Sequence, residues 1–238
     1  MRSRDFKHQA LQNLKGNWII SVIACVIALL LGGIEGFSFS YSFNVNLPWD
    51  AGMQNGVEQI SLLGMEIPDQ VWTAYFAYIG LSLLLSVLLF IVGSGIMVGY
   101  ARFNLDMAEG VRPKIRTLFS HFRQMGTMIC ARLLVFLRVC IGFMFFIIPG
   151  IIAMYQYTLV PFVIADNPGI TAREALRESK RLMKGNKWKY FCLNLGFIGW
   201  SVLAVFTGGL GYYVLIPYIQ ASYAGFYRYA KVKAKFYV

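Results

Sequence analysis

The chain has 238 residues, of which 58% are hydrophobic, 16% aromatic and only 14% charged, with a mean hydropathy of +0.57. Soluble domains carry about 25% charged residues, so too little charge is present to coat a globule. Composition therefore argues against a disordered chain, a disulfide scaffold and an ordinary cytosolic enzyme, and leaves a polytopic membrane protein.

The net charge of +11 is sorted along the chain. Residues 1–17 are basic and helix-like, and no Lys or Arg follows Lys15 until Arg102. That interval begins with an apolar run at 18–37, the first expected span. No cleavable leader is expected, because the run lacks a small-residue cleavage site. An acidic segment, 38–70, follows. From Phe37 to Leu47 its aromatic and aliphatic residues alternate with Ser and Asn, the period of a half-buried strand. Asn55-Gly56 is a tight-turn signal. The segment reads as an outer β-hairpin, or as an extended stretch resting its aromatic side on the outer leaflet.

The second span is expected at 71–100, and residues 101–126 form a basic connection. Spans three and four fall within 127–165, broken at Pro149-Gly150. Each arm is short for a helix that needs about 20 residues to cross. Either the third helix starts near Gly126 and carries Arg132 and Arg138 with it, or the pair is re-entrant. Residues 166–189 are basic again, spans five and six occupy 190–227, and a basic tail, 228–238, closes the chain. With two spans between successive basic clusters, the positive-inside rule puts both termini in the cytoplasm. The expected fold is an all-α integral membrane protein, a single domain of six transmembrane helices with three interfacial amphipathic helices.

Those three helices precede the three helix pairs. Residues 4–15 place Phe6, Ala10, Leu11 and Leu14 on one face, and residues 114–125 offer Ile115, Leu118, Phe119 and Phe122. Residues 171–184 present Ala172, Ala175, Leu176, Leu182 and Met183. In the third, Thr171 and Glu174 spell a capping box and Gly185 suits a left-handed C-terminal stop. Lys15-Gly16-Asn17-Trp18 nearly repeats as Lys184-Gly185-Asn186-Lys187-Trp188. This reads as a threefold unit of interfacial helix plus span pair, or as the ordinary gathering of Lys, Gly and Trp at the inner leaflet.

Little supports catalysis. His8 and His121 lie in basic stretches without a paired nucleophile, and Cys25, Cys130, Cys140 and Cys192 show no C-x-x-C spacing and read as small buried hydrophobes. Nucleophile-elbow, phosphate-loop, dinucleotide and zinc motifs are missing. No enzyme activity, cofactor or metal is expected. The candidate intramembrane polar and motif positions are Arg138, Gln156, Asn194, Trp200, Pro217 and Tyr218, since polar groups at membrane depth are the usual pointers to function. Glu35 is the one acid available to pair with Arg138. Gly95 with Gly99, and Gly196 with Gly199, suit close helix packing, and the 207–211 run suits an outer turn. Arg173, Arg177, Lys180, Arg181 and Lys184 are candidate contacts for anionic headgroups. The partners expected are the lipid bilayer and a peptide or membrane protein at the outer loop, with no nucleic acid.

The run from Glu178 to Lys187, followed by Phe197-Ile198-Gly199-Trp200, Thr207, Gly211, Pro217-Tyr218 and Phe226-Tyr227, resembles the C-terminal signature of a bacterial multi-pass membrane family, domain-of-unknown-function family nine-seven-five. Leu14-Lys15-Gly16-Asn17-Trp18 and Pro149-Gly150 fit it as well, while the outer loop lies outside the likeness. The resemblance implies residence in the bacterial cytoplasmic membrane and assigns no catalytic residue. The chain is also similar, at the level of fold alone, to the membrane domain of some glycerophosphodiester phosphodiesterases. The expected function is non-enzymatic contact with lipid, peptide or a membrane partner, in envelope maintenance, as an accessory subunit or in peptide protection. The alternative is a small transporter or channel with a site near Arg138.

Overall fold

The computed structural model describes residues 3–33 and 69–236, which are helix and turn; no strand occurs among them. The expected outer hairpin and Glu35 lie outside these residues. The chain divides into two compact units, Met1–Ile34 with Ile91–Val238, and Glu35–Phe90. The helices are α1 (Ser3–Leu14), α2 (Trp18–Leu30), α3 (Asp69–Ala108), α4 (Met125–Phe145), α5 (Ile147–Tyr157), α6 (Val160–Asp166), α7 (Ala172–Met183), α8 (Lys187–Phe206) and α9 (Gly211–Phe236).

Among the described residues, four segments are long and apolar enough to cross a membrane: Trp72–Ala108, Ile115–Phe145, Ile147–Asp166 and Lys187–Phe206. The pair α1 and α2, bent by 102° between Arg4–Leu14 and Trp18–Leu30, makes a fifth if counted as one. This differs from the six expected. By itself α2 has only 13 residues, about 20 Å of helix. Helix α9 is long enough, but Tyr212, Tyr213, Tyr218, Tyr223, Tyr227 and Tyr229 dilute its apolar character.

Several boundaries move for identifiable reasons. Helix α3 continues eight residues past the expected end at Tyr100, because its charges are paired within the helix: Arg102 Nε meets Asp106 at 2.8 Å. Asn104 Nδ2 also donates to the Tyr100 carbonyl at 2.8 Å. The expected amphipathic helix at 114–125 is instead two 3-10 turns, Ile115–Leu118 and Phe122–Gln124. Between them Ser120 Oγ donates to the Thr117 carbonyl at 2.8 Å and meets His121 Nδ1 at 2.7 Å. Such local side-chain bonds compete with a continuous helix. The break expected at Pro149-Gly150 falls at Phe146, whose backbone is extended (φ −165°, ψ 158°). Pro149 then lies in the first turn of α5, where its missing N–H leaves no bond unmade. Helix α4 begins at Met125 and does carry Arg132 and Arg138, and α5 folds back along it. At their crossing a Cβ on Gly142 would stand 3.0 Å from Gly150 Cα.

Two corners of the larger unit share one geometry. Gly16 (φ 85°) and Gly185 (φ 76°) are left-handed, a conformation that glycine adopts without a Cβ penalty. Asn17 (φ −122°, ψ 12°) and Asn186 (φ −116°, ψ −2°) follow them, each donating its backbone N–H to the carbonyl three residues earlier. The likeness extends to what is buried. Counting from the two glycines, the buried Phe6, Ala10 and Leu14 of α1 stand where the buried Ala175, Ser179 and Met183 stand in α7. Likewise Ser21, Ala24, Cys25 and Ala28 of α2 match Tyr190, Leu193, Asn194 and Phe197 of α8. The expected repeat is therefore visible in the corners that open its first and third units. The middle one lacks the leading helix.

Helix α9 runs antiparallel to α8 along nearly its whole length. Tyr212 donates to the Ser201 carbonyl at 2.8 Å, Tyr218 packs edge-on against Phe197 at 5.2 Å, and Tyr223 Oη donates to Asn194 Oδ1 at 2.5 Å. Lys189 Nζ reaches Tyr229 Oη at 2.6 Å. Apart from the exposed Tyr213, the tyrosines that lower the hydropathy of α9 are thus spent on its neighbours. Phe6 of α1 packs edge-on against Phe226 and Tyr229 at 5.6 and 5.4 Å. Leu11, expected on the buried face of α1, is exposed. On α3, Gly95 and Gly99 are packed as expected: a Cβ on Gly99 would stand 2.7 Å from Leu118 Cα. Gly199, by contrast, faces open space. Left-handed Gly208 and Gly209 form the turn between α8 and α9.

Candidate functional site

The C-terminal ends of α3, α6 and α9 meet in a knot of charge. Asp166, the last residue of α6, accepts from Lys231 Nζ and from Tyr227 Oη (2.8 Å) of α9, and Arg102 of α3 lies 3.8 Å away. Arg102 also faces Asp106 and, at 3.6 Å, Glu109, while Arg228 donates to the Ala108 carbonyl. Each of these ends follows an apolar helix, so the ion pairs gather at one end of the larger unit.

Helix α7 lies against this end. Thr171 Oγ1 accepts from the Glu174 N–H at 3.4 Å while Glu174 Oε2 accepts from the Thr171 N–H at 3.1 Å and from its hydroxyl at 2.7 Å. This is the expected capping box. Those bonds from Thr171 hold the Glu174 carboxyl below the usual carboxylate range. Ala175, Leu176, Leu182 and Met183 are buried in the protein core, whereas Ala172 is half-buried. Ser179, also buried, donates to the Gln156 carbonyl at 2.7 Å. Arg173, Arg177, Lys180, Arg181 and Lys184 are all exposed. Just beyond them, Trp188 is 74% exposed.

A cavity of about 480 Å³ opens between α7 and α9, lined by Asn167, Ile170, Glu174, Arg177, Glu178, Arg181, Tyr227 and Lys231. Arg177 and Arg181 thus belong to a shaped recess, and the other three candidate cations of α7 do not line it. Sequence reasoning missed Asp166, Lys231 and Arg102, and gave Tyr227 no role beyond its place in the family signature. Their one local signal is an acid closing an apolar run just before Asn167-Pro168-Gly169.

The candidate intramembrane residues do not converge. Arg138 is exposed on α4, donates to Tyr157 Oη at 3.2 Å, and sits 5.5 Å from that ring's centre. Gln156 is half-buried and takes part through its backbone carbonyl. Asn194 is buried against Tyr223, Trp200 is exposed, Pro217 is buried within α9, and Tyr218 rests on Phe197. Arg132, which reads as part of a basic loop in the sequence, is the more deeply packed arginine. It donates to Ser94 Oγ at 2.8 Å and approaches Met97 Sδ at 3.0 Å. Cys25 is buried as expected, but Cys130 and Cys140 are exposed on α4. Among the described residues, no three His, Cys, Asp or Glu side chains are placed to share a metal ion.

Several apolar helices of spanning length are consistent with the class of multi-pass membrane proteins. Within that class the chain belongs to the DUF975 family, described as proteins of unknown function, whose family model matches residues 78–234. No curated protein and no solved structure matches the chain.

Proposed function

We propose that this is a non-enzymatic protein of the bacterial cytoplasmic membrane that crosses it six times, with the charged end in the cytoplasm, and acts by contact with anionic lipid. The sixth crossing in this reading is α9, since a helix that returns along the whole of α8 must cross whatever α8 crosses. The carrying observation is the orientation of α7: its apolar stripe is built into the core while its five cations face outward beside an exposed tryptophan. Each basic group near an anionic leaflet contributes about 1 kcal/mol, and Trp is at home at the membrane–water boundary. The test is flotation of the full chain, reconstituted in nanodiscs of neutral lipid, with vesicles containing or lacking phosphatidylglycerol. Arg173→Gln, Lys180→Gln and Lys184→Gln together should reduce association with the anionic vesicles and leave thermal unfolding unchanged. Association that is equal for neutral and anionic vesicles would sink this reading.

A small transporter is the second reading, favoured by the matched corners of α1–α2 and α7–α8, since internal repeats are common in transporter folds. Flux of ions, amino acids or peptides through proteoliposomes is its measurement. Silence across a broad panel counts against it.

A further inference from the structure

The cavity between α7 and α9 carries charges of both signs, but their engagement is unequal. Its two carboxylates have partners within the fold: Glu174 accepts from Thr171, and Glu178 from Arg181 at 2.8 Å. Asp166, adjoining it, accepts from Lys231 and Tyr227, and Asn167 Nδ2 is turned away onto the Val163 carbonyl at 3.2 Å. Arg177 stands one helical turn from Glu174 and acts on that carboxylate through space, but no hydrogen bond from its guanidinium is present among the described residues. Arg181 gives Nη2 to Glu178, which leaves the rest of its five-donor fork unspent, and an ammonium such as that of Lys231 has three donors in all. What the cavity retains for a visitor is therefore donor capacity, spread over two walls, its cations being matched in number by Glu174, Glu178 and the adjoining Asp166. Arg177 and Arg181, four residues apart on one helix face, form one wall and Lys231 the other, with Ile170 and the Tyr227 ring supplying apolar surface.

From this arrangement we infer that the cavity binds a phosphate ester, held by Arg177 and Arg181 with Lys231 opposite. Guanidinium forks match the oxygens of a phosphate bidentately, and about 480 Å³ lies within the range of small-ligand sites. A phospholipid headgroup and a soluble phosphate ester share this chemistry. The inference rests on the membrane reading above only for the lipid source. It uses Arg177 and Arg181, whereas the vesicle test uses Arg173, Lys180 and Lys184, so either idea can fail without the other.

The experiment takes the full chain in a neutral glucoside detergent and titrates it with inorganic phosphate, glycerol 3-phosphate, phosphatidylglycerol and dioleoylglycerol, which lacks the phosphate. Bound adducts are counted by native mass spectrometry. The expected result is one phosphate-bearing adduct per chain, no dioleoylglycerol adduct, and affinity about tenfold weaker in Arg177→Gln, the scale of one lost charge-assisted bond. Arg177→Lys should recover part of the loss, because it restores the charge without the fork. Arg177 is exposed and unbonded, so its variants should keep the wild-type unfolding temperature. Adducts with the soluble probes identify a free phosphate ester as the ligand, and adducts with phosphatidylglycerol alone identify a headgroup. The inference is overturned if no phosphate-bearing probe is retained. It is equally overturned if Arg177→Gln binds like the wild type, or if the triple change at Arg173, Lys180 and Lys184 abolishes the adduct as fully.

Discussion

Asp166 holds together three helix ends that are far apart in sequence. Its side chain is 15% exposed, so its bonds are partly withdrawn from water and outweigh an ordinary surface ion pair. Replacing the carboxylate by an amide removes the charge that Lys231 and Arg102 share and leaves Tyr227 a weaker acceptor. Asp166→Asn should therefore lower stability by about 2 kcal/mol, the scale of hydrogen bonds to charged groups, as read from unfolding in detergent. An unchanged unfolding midpoint would show that the knot is incidental. Arg138, the residue that sequence position favours most, is held among the described residues only by Tyr157. The difference is one of range: an apolar run discloses which polar residues it contains, but not which partners other helices bring. Asp166 stands 65 residues from Lys231, and nothing local in either segment announces the pair.

Helix α7 was readable almost completely, because its signals are short-range. The capping box, the apolar stripe and the glycine stop all lie within one segment, and the structure shows each. Thr171→Ala removes the side-chain acceptor for the Glu174 N–H and should cost about 1 kcal/mol. The depressed Glu174 carboxyl adds a pH dependence of definite sign. Its contribution is fully present above the ordinary value of 4.5 and is lost as pH falls through the lowered folded value. The gap in unfolding temperature between wild type and Thr171→Ala should consequently narrow below pH 4.5; a gap that widens in acid would contradict the assigned bond. Residues 114–125 show the opposite case. Their apolar spacing suits a helix, yet Ser120 and His121 bond locally and two 3-10 turns result. On α3, Gly99 is where that segment presses closest. Gly99→Val would drive a branched side chain into the Leu118 backbone, which has no rotamer by which to yield, and overpacking of this kind costs about 1–3 kcal/mol. Gly199→Ala meets open space on α8 and should be neutral or stabilising by up to about 1 kcal/mol. Thermal unfolding of the two variants side by side separates packing glycines from idle ones.

At the scale of the molecule, helix count and helix composition disagree over α9. Composition excludes it from the spans because tyrosine is a poor membrane residue on a hydropathy scale. Geometry includes it, because those tyrosines reach groups on α8 and on α6. A bonded hydroxyl no longer carries the desolvation cost that the scale charges to it. The outer turn at 207–210 should then lie across the membrane from the knot at Asp166 and from the tail of α9. Single cysteines at Glu109, Lys180 and Lys235, in a chain whose four native cysteines are replaced by Ala, should react alike with a membrane-impermeant maleimide. A cysteine at Gly208 should react only from the opposite face. Right-side-out cells should therefore label Gly208→Cys alone, and inverted vesicles should label the other three. If Gly208→Cys and Lys235→Cys label from the same side, α9 does not cross. The turn between α8 and α9 would then lie on the same face as the tail, and the six-crossing arrangement would fall with it.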